Sequence, residues 1–178
     1  VSSAEELFST AALLGYPALG ITDRNTVGGL VRGLRGSRAT GIRLISGCRL
    51  DLMDGTSLLV WPEDRAGWSR LTRLLTLGKS RAIPKKGEKG QCFLHWEDVA
   101  AYSDGLVAAL VPDATDAVAE AALAQISDIL GSRAYCTLTH RRRPGDASRL
   151  HKLDAMARAY GVRSLATGDI LYDSPDKR

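Results

Sequence analysis

Two carboxylates sit where strand ends commonly hold chemistry. Asp23 follows the apolar run Leu19-Gly20-Ile21-Thr22, and Asp169 follows the run 162–167. In β/α proteins a residue just past the carboxyl end of a strand lines the ligand-binding mouth. A metal or a substrate is therefore the expected company of both. Asp23 is followed at once by Arg24, a permanent cation that cannot ligate a metal. The address is catalytic, and its second occupant argues against metal catalysis there. Aspartates at such places also cap turns and helices, and that reading stands beside the first. Of the three histidines, His140 ends a strand and is the one placed to be a ligand. His151 lies on a helix near Arg149 and Lys152 and reads as solvated, and His95 stands apart. The pairs Gly28-Gly29 and Gly87/Gly90 complete neither a P-loop nor a dinucleotide fingerprint. No nucleophile elbow or Ser-His-Asp arrangement is visible.

The elements that must position these residues alternate between helix and strand. Ser3-Ala4-Glu5-Glu6 is a capping-box pattern, with Ser2-Ser3-Ala4-Glu5 as a second register. Leu7, Ala11 and Leu14 then recur at helical spacing until Gly15 and Pro17 end the helix. A Gly-rich helix is expected from about Val27 to Arg38. A strand begins at Leu44-Ile45, and Met53-Asp54-Gly55-Thr56 turns a hairpin between Arg49–Leu52 and Ser57–Trp61. A long helix follows from Pro62-Glu63-Asp64 to about Gly78, with Trp68, Leu71, Leu74 and Leu75 on one face. Later come a short helix from Trp96, a strand Gly105–Val111, a helix Thr115–Leu130 closed by Gly131 and a strand Tyr135–Thr139. A helix Ala147–Tyr160 and a strand Val162–Thr167 complete the chain. Five or six strands interleaved with as many helices make an α/β layout with largely parallel strands. Periodicity does not separate an open sheet from a barrel.

The chain has 178 residues, 25% of them charged and 44% hydrophobic, enough for one domain of ordinary globular composition. No apolar run approaches the ~20 residues of a membrane span, and there is no secretory signal. The chain opens on a helix start without an initiator Met, so it is read as a piece of a longer protein. Cys48, Cys92 and Cys136 show no C-x-x-C spacing, which fits reduced thiols and a cytoplasmic location. A net charge of +4 is compatible with nucleic acid without establishing it. Lys79, Arg81, Lys85, Lys86 and Lys89 fall in one expected surface loop, Lys79–Gln91, and Arg141, Arg142 and Arg143 in another, His140–Asp146. Such loops are usually solvated. Two in one chain make a polyanion contact worth carrying forward.

Four collinear segments carry a family resemblance. They are Gly20-Ile21-Thr22-Asp23-Arg24-Asn25, the run 41–50 (GIRLISGCRL), the run 71–79 (LTRLLTLGK) and the run 165–172 (LATGDILY). Together they resemble the PHP (polymerase and histidinol phosphatase) domain. More narrowly, they resemble the amino-terminal PHP domain of bacterial C-family polymerases, which are polymerase III α subunit-like. The run 71–79 with Lys89-Gly90-Gln91-Cys92 and the Asp-Arg-Asn triplet resemble the error-prone branch. The resemblance implies a distorted (β/α)7 barrel over residues 1–178, incomplete here because the family's first strand, with its His-x-His pair, is missing. It implies a trinuclear metal site in active members, built on His, Asp and Glu at strand ends. This chain departs from that set. The family's Asp-His is Asp23-Arg24, its Gly-Cys-Glu is Gly47-Cys48-Arg49, and its final Asp-x-His is Asp169-Ile170-Leu171.

Metal clusters need several neutral or anionic ligands at about 2.0–2.2 Å, and two guanidiniums in the same mouth repel divalent ions. Arg24 and Arg49 are expected to pair with Asp23 and Asp169 in a metal-free Arg–Asp network. Asp23, Arg24, Arg49, Asp169 and Leu171 are then vestigial metal positions. The leading functional expectation is a structural domain of an error-prone DNA-directed DNA polymerase, acting in damage-induced mutagenesis. Such a domain would pack on the palm and thumb, and Mg²⁺ and DNA would be engaged by the parent enzyme. The alternatives are an active metal-dependent phosphoesterase, exonuclease or phosphatase, and a free-standing nucleic-acid or protein-interaction module. An exposed barrel edge would favour an oligomer of the isolated piece.

Overall fold

The computed structural model of the chain describes residues 2–82, 91–174 and 176. Helix α1 (Ala4–Leu13) starts on the capping box, in the register in which Ser3 and Glu6 satisfy each other's backbone N–H groups. Its inward face is Phe8 and Ala11, whereas Leu14 caps the end and is exposed. Strand β1 (Ala18–Ile21) leads to α2 (Leu30–Thr40), which begins three residues later than its Gly-rich sequence predicts. Then follow β2 (Arg43–Ser46), β3 (Cys48–Asp51) and β4 (Ser57–Pro62). The hairpin turn is the expected one, with Gly55 at φ 88° and the Asp54 carboxylate accepting from the Thr56 N–H at 2.9 Å.

Helix α3 (Arg65–Arg81) is capped by Asp64, and α4 (Trp96–Ala101) precedes β5 (Leu106–Leu110). Helix α5 (Ala117–Leu130) is capped by Asp116 and runs into a 3-10 turn, Gly131–Arg133. Strand β6 (Ala134–Thr139), helix α6 (Asp146–Ala159) and strand β7 (Arg163–Thr167) close the order.

The fold is mixed α/β, and its sheet is less parallel than the sequence predicts. Strand β1 pairs in parallel with β2, β5 with β6 and β6 with β7, but β4 is antiparallel to both β3 and β5. The tight hairpin forces this reversal, because two strands joined by a short turn must run oppositely. Strands β2 and β3 act as one long strand interrupted at Gly47. Ala18 pairs with Arg43 and, in the same offset, Arg24 bridges to Arg49, so β1 follows both. The side-by-side order is thus β1, β2/β3, β4, β5, β6, β7, and among the described residues no pairing joins β1 to β7. All strands except β4 direct their carboxyl ends the same way.

Helices α3, α5 and α6 pack on the sheet over a core that includes Leu50, Leu58, Leu71, Leu74, Leu123 and Ile126. Cys48, Cys92 and Cys136 are buried free thiols in that core. Beyond β7 the chain returns to its start, where the Ser2 N–H donates to the Leu171 carbonyl at 3.0 Å.

Candidate functional site at the carboxyl ends of the strands

Strand geometry assembles one charged network at the end of β1, β3 and the start of β4. Residues two apart share a face of a strand, so Arg49 and Asp51 stand together on β3. The hairpin register sets Ser57 opposite Asp51 and the parallel bridge sets Arg24 beside Arg49. Asp51 is the hub. Arg49 Nε lies 3.0 Å from its Oδ1, Arg24 Nη1 lies 3.3 Å from its Oδ2, and Ser57 Oγ donates to Oδ1 at 2.6 Å. Arg49 Nη2 also donates to Ser57 Oγ at 2.9 Å. Burial pushes the Asp51 carboxyl up, but the hydrogen bonds from Ser57 and Arg49 and the charges of Arg49 and Arg24 outweigh it and hold it below its ordinary range. Asn25 fastens the network from below. At φ 50°, a left-handed turn that Asn tolerates, its N–H donates to the Arg49 carbonyl at 2.7 Å and its side-chain oxygen accepts from the Asp51 N–H at 3.0 Å.

Asp23 takes the capping role. Its Oδ2 accepts from the Gly29 N–H at 2.7 Å, at the entrance to α2. A Cβ at Gly29 would lie 2.3 Å from that oxygen, so a larger residue there would displace the Asp23 carboxylate from its capping position. The expected pairing of Arg24 and Arg49 with Asp23 and Asp169 is therefore corrected: both arginines go to Asp51. Asp169 is exposed, at φ 47°, and among the described residues no hydrogen bond or ion pair joins it to Asp23, Arg24 or Arg49. Leu171 is half exposed and contributes its carbonyl to Ser2.

The two basic segments fare differently. Lys79 and Arg81 belong to α3 and not to a loop. Arg81 is held by Asp98, with Nη2 to Oδ1 at 2.8 Å and Nη1 to Oδ2 at 2.5 Å. The hydrogen bond from Arg81 holds the Asp98 carboxyl below its ordinary range, against burial, so Arg81 is a structural contact. Lys85, Lys86 and Lys89 lie outside the described residues. In the second segment the buried Asp146 accepts from the Arg141 and Arg142 N–H groups and from Arg149, shaping the loop around itself. Arg141 reaches Asp113 at 3.0 Å, while Arg142 and Arg143 are exposed. His140 is exposed, with Nδ1 3.9 Å from Asp146, and it does not join Asp23 or Asp169.

Asp51 and Ser57 escaped the sequence reading, though the signal was there. The alternation Arg49-Leu50-Asp51 and the Asp-Gly turn together fix which residues face each other. Asp146 and Asp98 gave no such signal, because their partners come from backbone N–H groups and a helix end.

The trinuclear metal site that the resemblance implies does not fit these residues. Three of the positions that the resemblance assigns to it carry Arg24, Arg49 and Leu171, Asp23 already serves a backbone N–H, and Asp51 is neutralised by two guanidiniums. Among the described residues no group of three or more His, Cys, Asp or Glu is arranged to hold an ion.

The family model of the PHP domain matches residues 1–161. "Error-prone DNA polymerase 2" of Agrobacterium fabrum is 53% identical over 177 residues, 99% of this chain and 16% of that protein. "Error-prone DNA polymerase 2" of Rhizobium meliloti is 52% identical over the same shares. "Error-prone DNA polymerase" of Caulobacter vibrioides is 41% identical, again over 99% and 16%. The chain thus spans about one sixth of the length of these curated relatives. Among solved structures, a proposed metal-dependent phosphoesterase from Bifidobacterium adolescentis superposes with TM-score 0.67 at 16% identity, covering 98% of this chain and 85% of that one. An amidohydrolase from Chromobacterium violaceum does so with TM-score 0.64 at 15% identity, covering 98% and 84%.

Proposed function

The chain belongs to the PHP domain family, and on that premise we propose that it is the amino-terminal PHP domain of an error-prone DNA-directed DNA polymerase, serving there as a structural domain with a degenerate metal site. The relatives, about half identical over nearly the whole chain, support the parent activity. The observation that carries the structural role is the Arg24–Asp51–Arg49–Ser57 network. It fills the strand ends with fixed positive charge, and among the described residues it leaves no open carboxylate cluster. Asp23, Arg24, Arg49, Asp169 and Leu171 are in this reading remnants of a ligand set whose members now cap, pair or face solvent. The finer architecture we assign is the distorted (β/α)7 barrel, of which the six-row sheet from β1 to β7 is an open part. Nucleotidyl transfer, with its Mg²⁺ and DNA, belongs to the palm of the parent enzyme, and the domain's partners are that palm and thumb.

The test uses the complete polypeptide. It should extend a primer on damaged template with Mg²⁺, release no product from p-nitrophenyl phosphate or single-stranded DNA with Mn²⁺ or Zn²⁺, and keep its polymerase rate in Asp23→Ala within threefold. Phosphoesterase turnover abolished by Asp23→Ala, with metal bound stoichiometrically, would overturn the structural role.

A further inference from the structure

The segment between Asp23 and Asp51 contains six arginines, at 24, 32, 35, 38, 43 and 49, and no Asp, Glu or Lys. Arg24 and Arg49 are used by Asp51. Arg32, Arg35, Arg38 and Arg43 are exposed, and among the described residues none of them has a side-chain hydrogen bond or an ion pair. Three of these, at i, i+3 and i+6 on α2, are like charges at a spacing that destabilises a helix left alone.

Helix α2 is also built inside out. Its buried residues are Gly33 and Gly36. A Cβ at Gly36 would lie 2.9 Å from Phe8 Cβ, and one at Gly33 would lie 3.3 Å from Ile21 and Leu44, so the glycines let the helix press onto α1 and the β1–β2 pair. Val31 and Leu34 consequently point outward, between the arginines, with 65% and 43% of their surface exposed. Leu13, at the end of the adjacent α1, is 87% exposed. Scattered apolar side chains need no explanation, but Val31 and Leu34, three residues apart, share one exposed face of α2.

We infer that the outer face of α2, Val31 and Leu34 set among Arg32, Arg35 and Arg38, is where this domain docks onto the rest of its own polypeptide, against an apolar surface rimmed by carboxylates. The inference rests on the polymerase reading: this chain covers 16% of such a relative, and the covering surface would come from the remainder. Charge sets the rim: guanidiniums that make no ion pair within the domain are complementary to carboxylates. Residue type decides between protein and nucleic acid. A phosphate track would be met by cations alone, whereas Val31 and Leu34 gain only from apolar contact. Arginine in place of lysine is the cation favoured in protein interfaces.

The test places a photo-crosslinking amino acid at position 34 of the complete polypeptide, with and without primer–template DNA, and maps the products by mass spectrometry. A second arm measures hydrogen exchange of α2 in Arg32→Glu/Arg35→Glu/Arg38→Glu, with the single variant Arg35→Glu in reserve should the triple fail to fold. Intramolecular crosslinks to an acidic segment, α2 exchange at least tenfold faster in the variant and DNA affinity within twofold are expected. Crosslinks to DNA or to a second molecule, absence of crosslinks, unchanged exchange, or a tenfold loss of DNA affinity would overturn the inference. A polypeptide that crosslinks as expected but incorporates no nucleotide would overturn the polymerase reading instead.

Discussion

At the scale of single residues, Asp51 is the hub of the charged network at the carboxyl ends of the strands. One carboxylate shared by two guanidiniums and a hydroxyl ties β1, β3 and β4 together. Removing its charge leaves the two cations Arg24 and Arg49 side by side with no anion between them, and Arg49 with only its hydrogen bond to Ser57 Oγ. Asp51→Asn should therefore destabilise the domain by about 1.5–3 kcal/mol at neutral pH, the usual loss for hydrogen bonds to charged groups, read by equilibrium urea unfolding. The pH dependence has a definite sign. Asp51 titrates lower folded than unfolded, so its contribution is complete above the unfolded value near ~3.9 and is lost as pH falls through the folded value. Asp98 and Asp146 are lowered as well, so acid weakens wild type through several groups. The difference between wild type and Asp51→Asn isolates one of them: it should shrink toward zero below about pH 4. A difference that stays constant down to pH 2 would show that the carboxylate charge is not what holds the network.

At the scale of elements, the approach of helices to strands and loops is set by glycines that nothing larger can replace. Gly67, in the first turn of α3, is the clearest. Its N–H is capped by Asp64, and a Cβ there would lie 2.2 Å from the Gly105 carbonyl oxygen. That carbonyl is backbone, accepts the Glu63 N–H at 2.9 Å and belongs to a residue at φ +67°, so it has no room to yield. Alanine gains about 1 kcal/mol of helix propensity, but overpacking costs typically about 1–3 kcal/mol and more against fixed atoms. Gly67→Ala should come out destabilised by about 2 kcal/mol, whereas Gly28→Ala, whose added carbon meets only Thr26 Oγ1 at 3.5 Å, should change stability by less than about 0.5 kcal/mol. Thermal unfolding of the pair tests both. Most element boundaries were legible because caps announce themselves: Ser3, Asp64, Gly15 and Gly131 each stand where the sequence predicts an end. The reach of α2 was not, since its buried side carries glycines and its exposed side carries Val31 and Leu34. Apolar periodicity there points outward, against the usual rule.

At the scale of the whole molecule, the sequence revealed an α/β chain but not how its strands are joined. A run such as Gly105–Val111 reads as a buried strand in either sense, and only the short Asp54-Gly55 turn forces β4 to run backward. The candidate site was half legible for the same reason. Asp23 and Asp169 follow strands as expected, but which cation meets which carboxylate depends on register between β1 and β3, a tertiary fact. What the sheet does as one body can be tested through its cysteines. Cys48 lies at the β3 end and Cys136 at the β6 end, both fully buried in the same core. Burial pushes the Cys48 thiol up to about 12 and the Cys136 thiol up to about 11. The thiolate is the reactive form, so at pH 8 neither should react with a disulfide reagent until the core opens. If the sheet from β1 to β7 is a single cooperative unit, the two sites share one opening free energy. Their labelling rates should then be alike and rise with the same urea dependence. A Cys48 that labels tenfold or more faster than Cys136 would instead mean that β1, α2 and β2/β3 open separately. The charged network at Asp51 would then be the seam between two halves of the sheet, not a fastening within one.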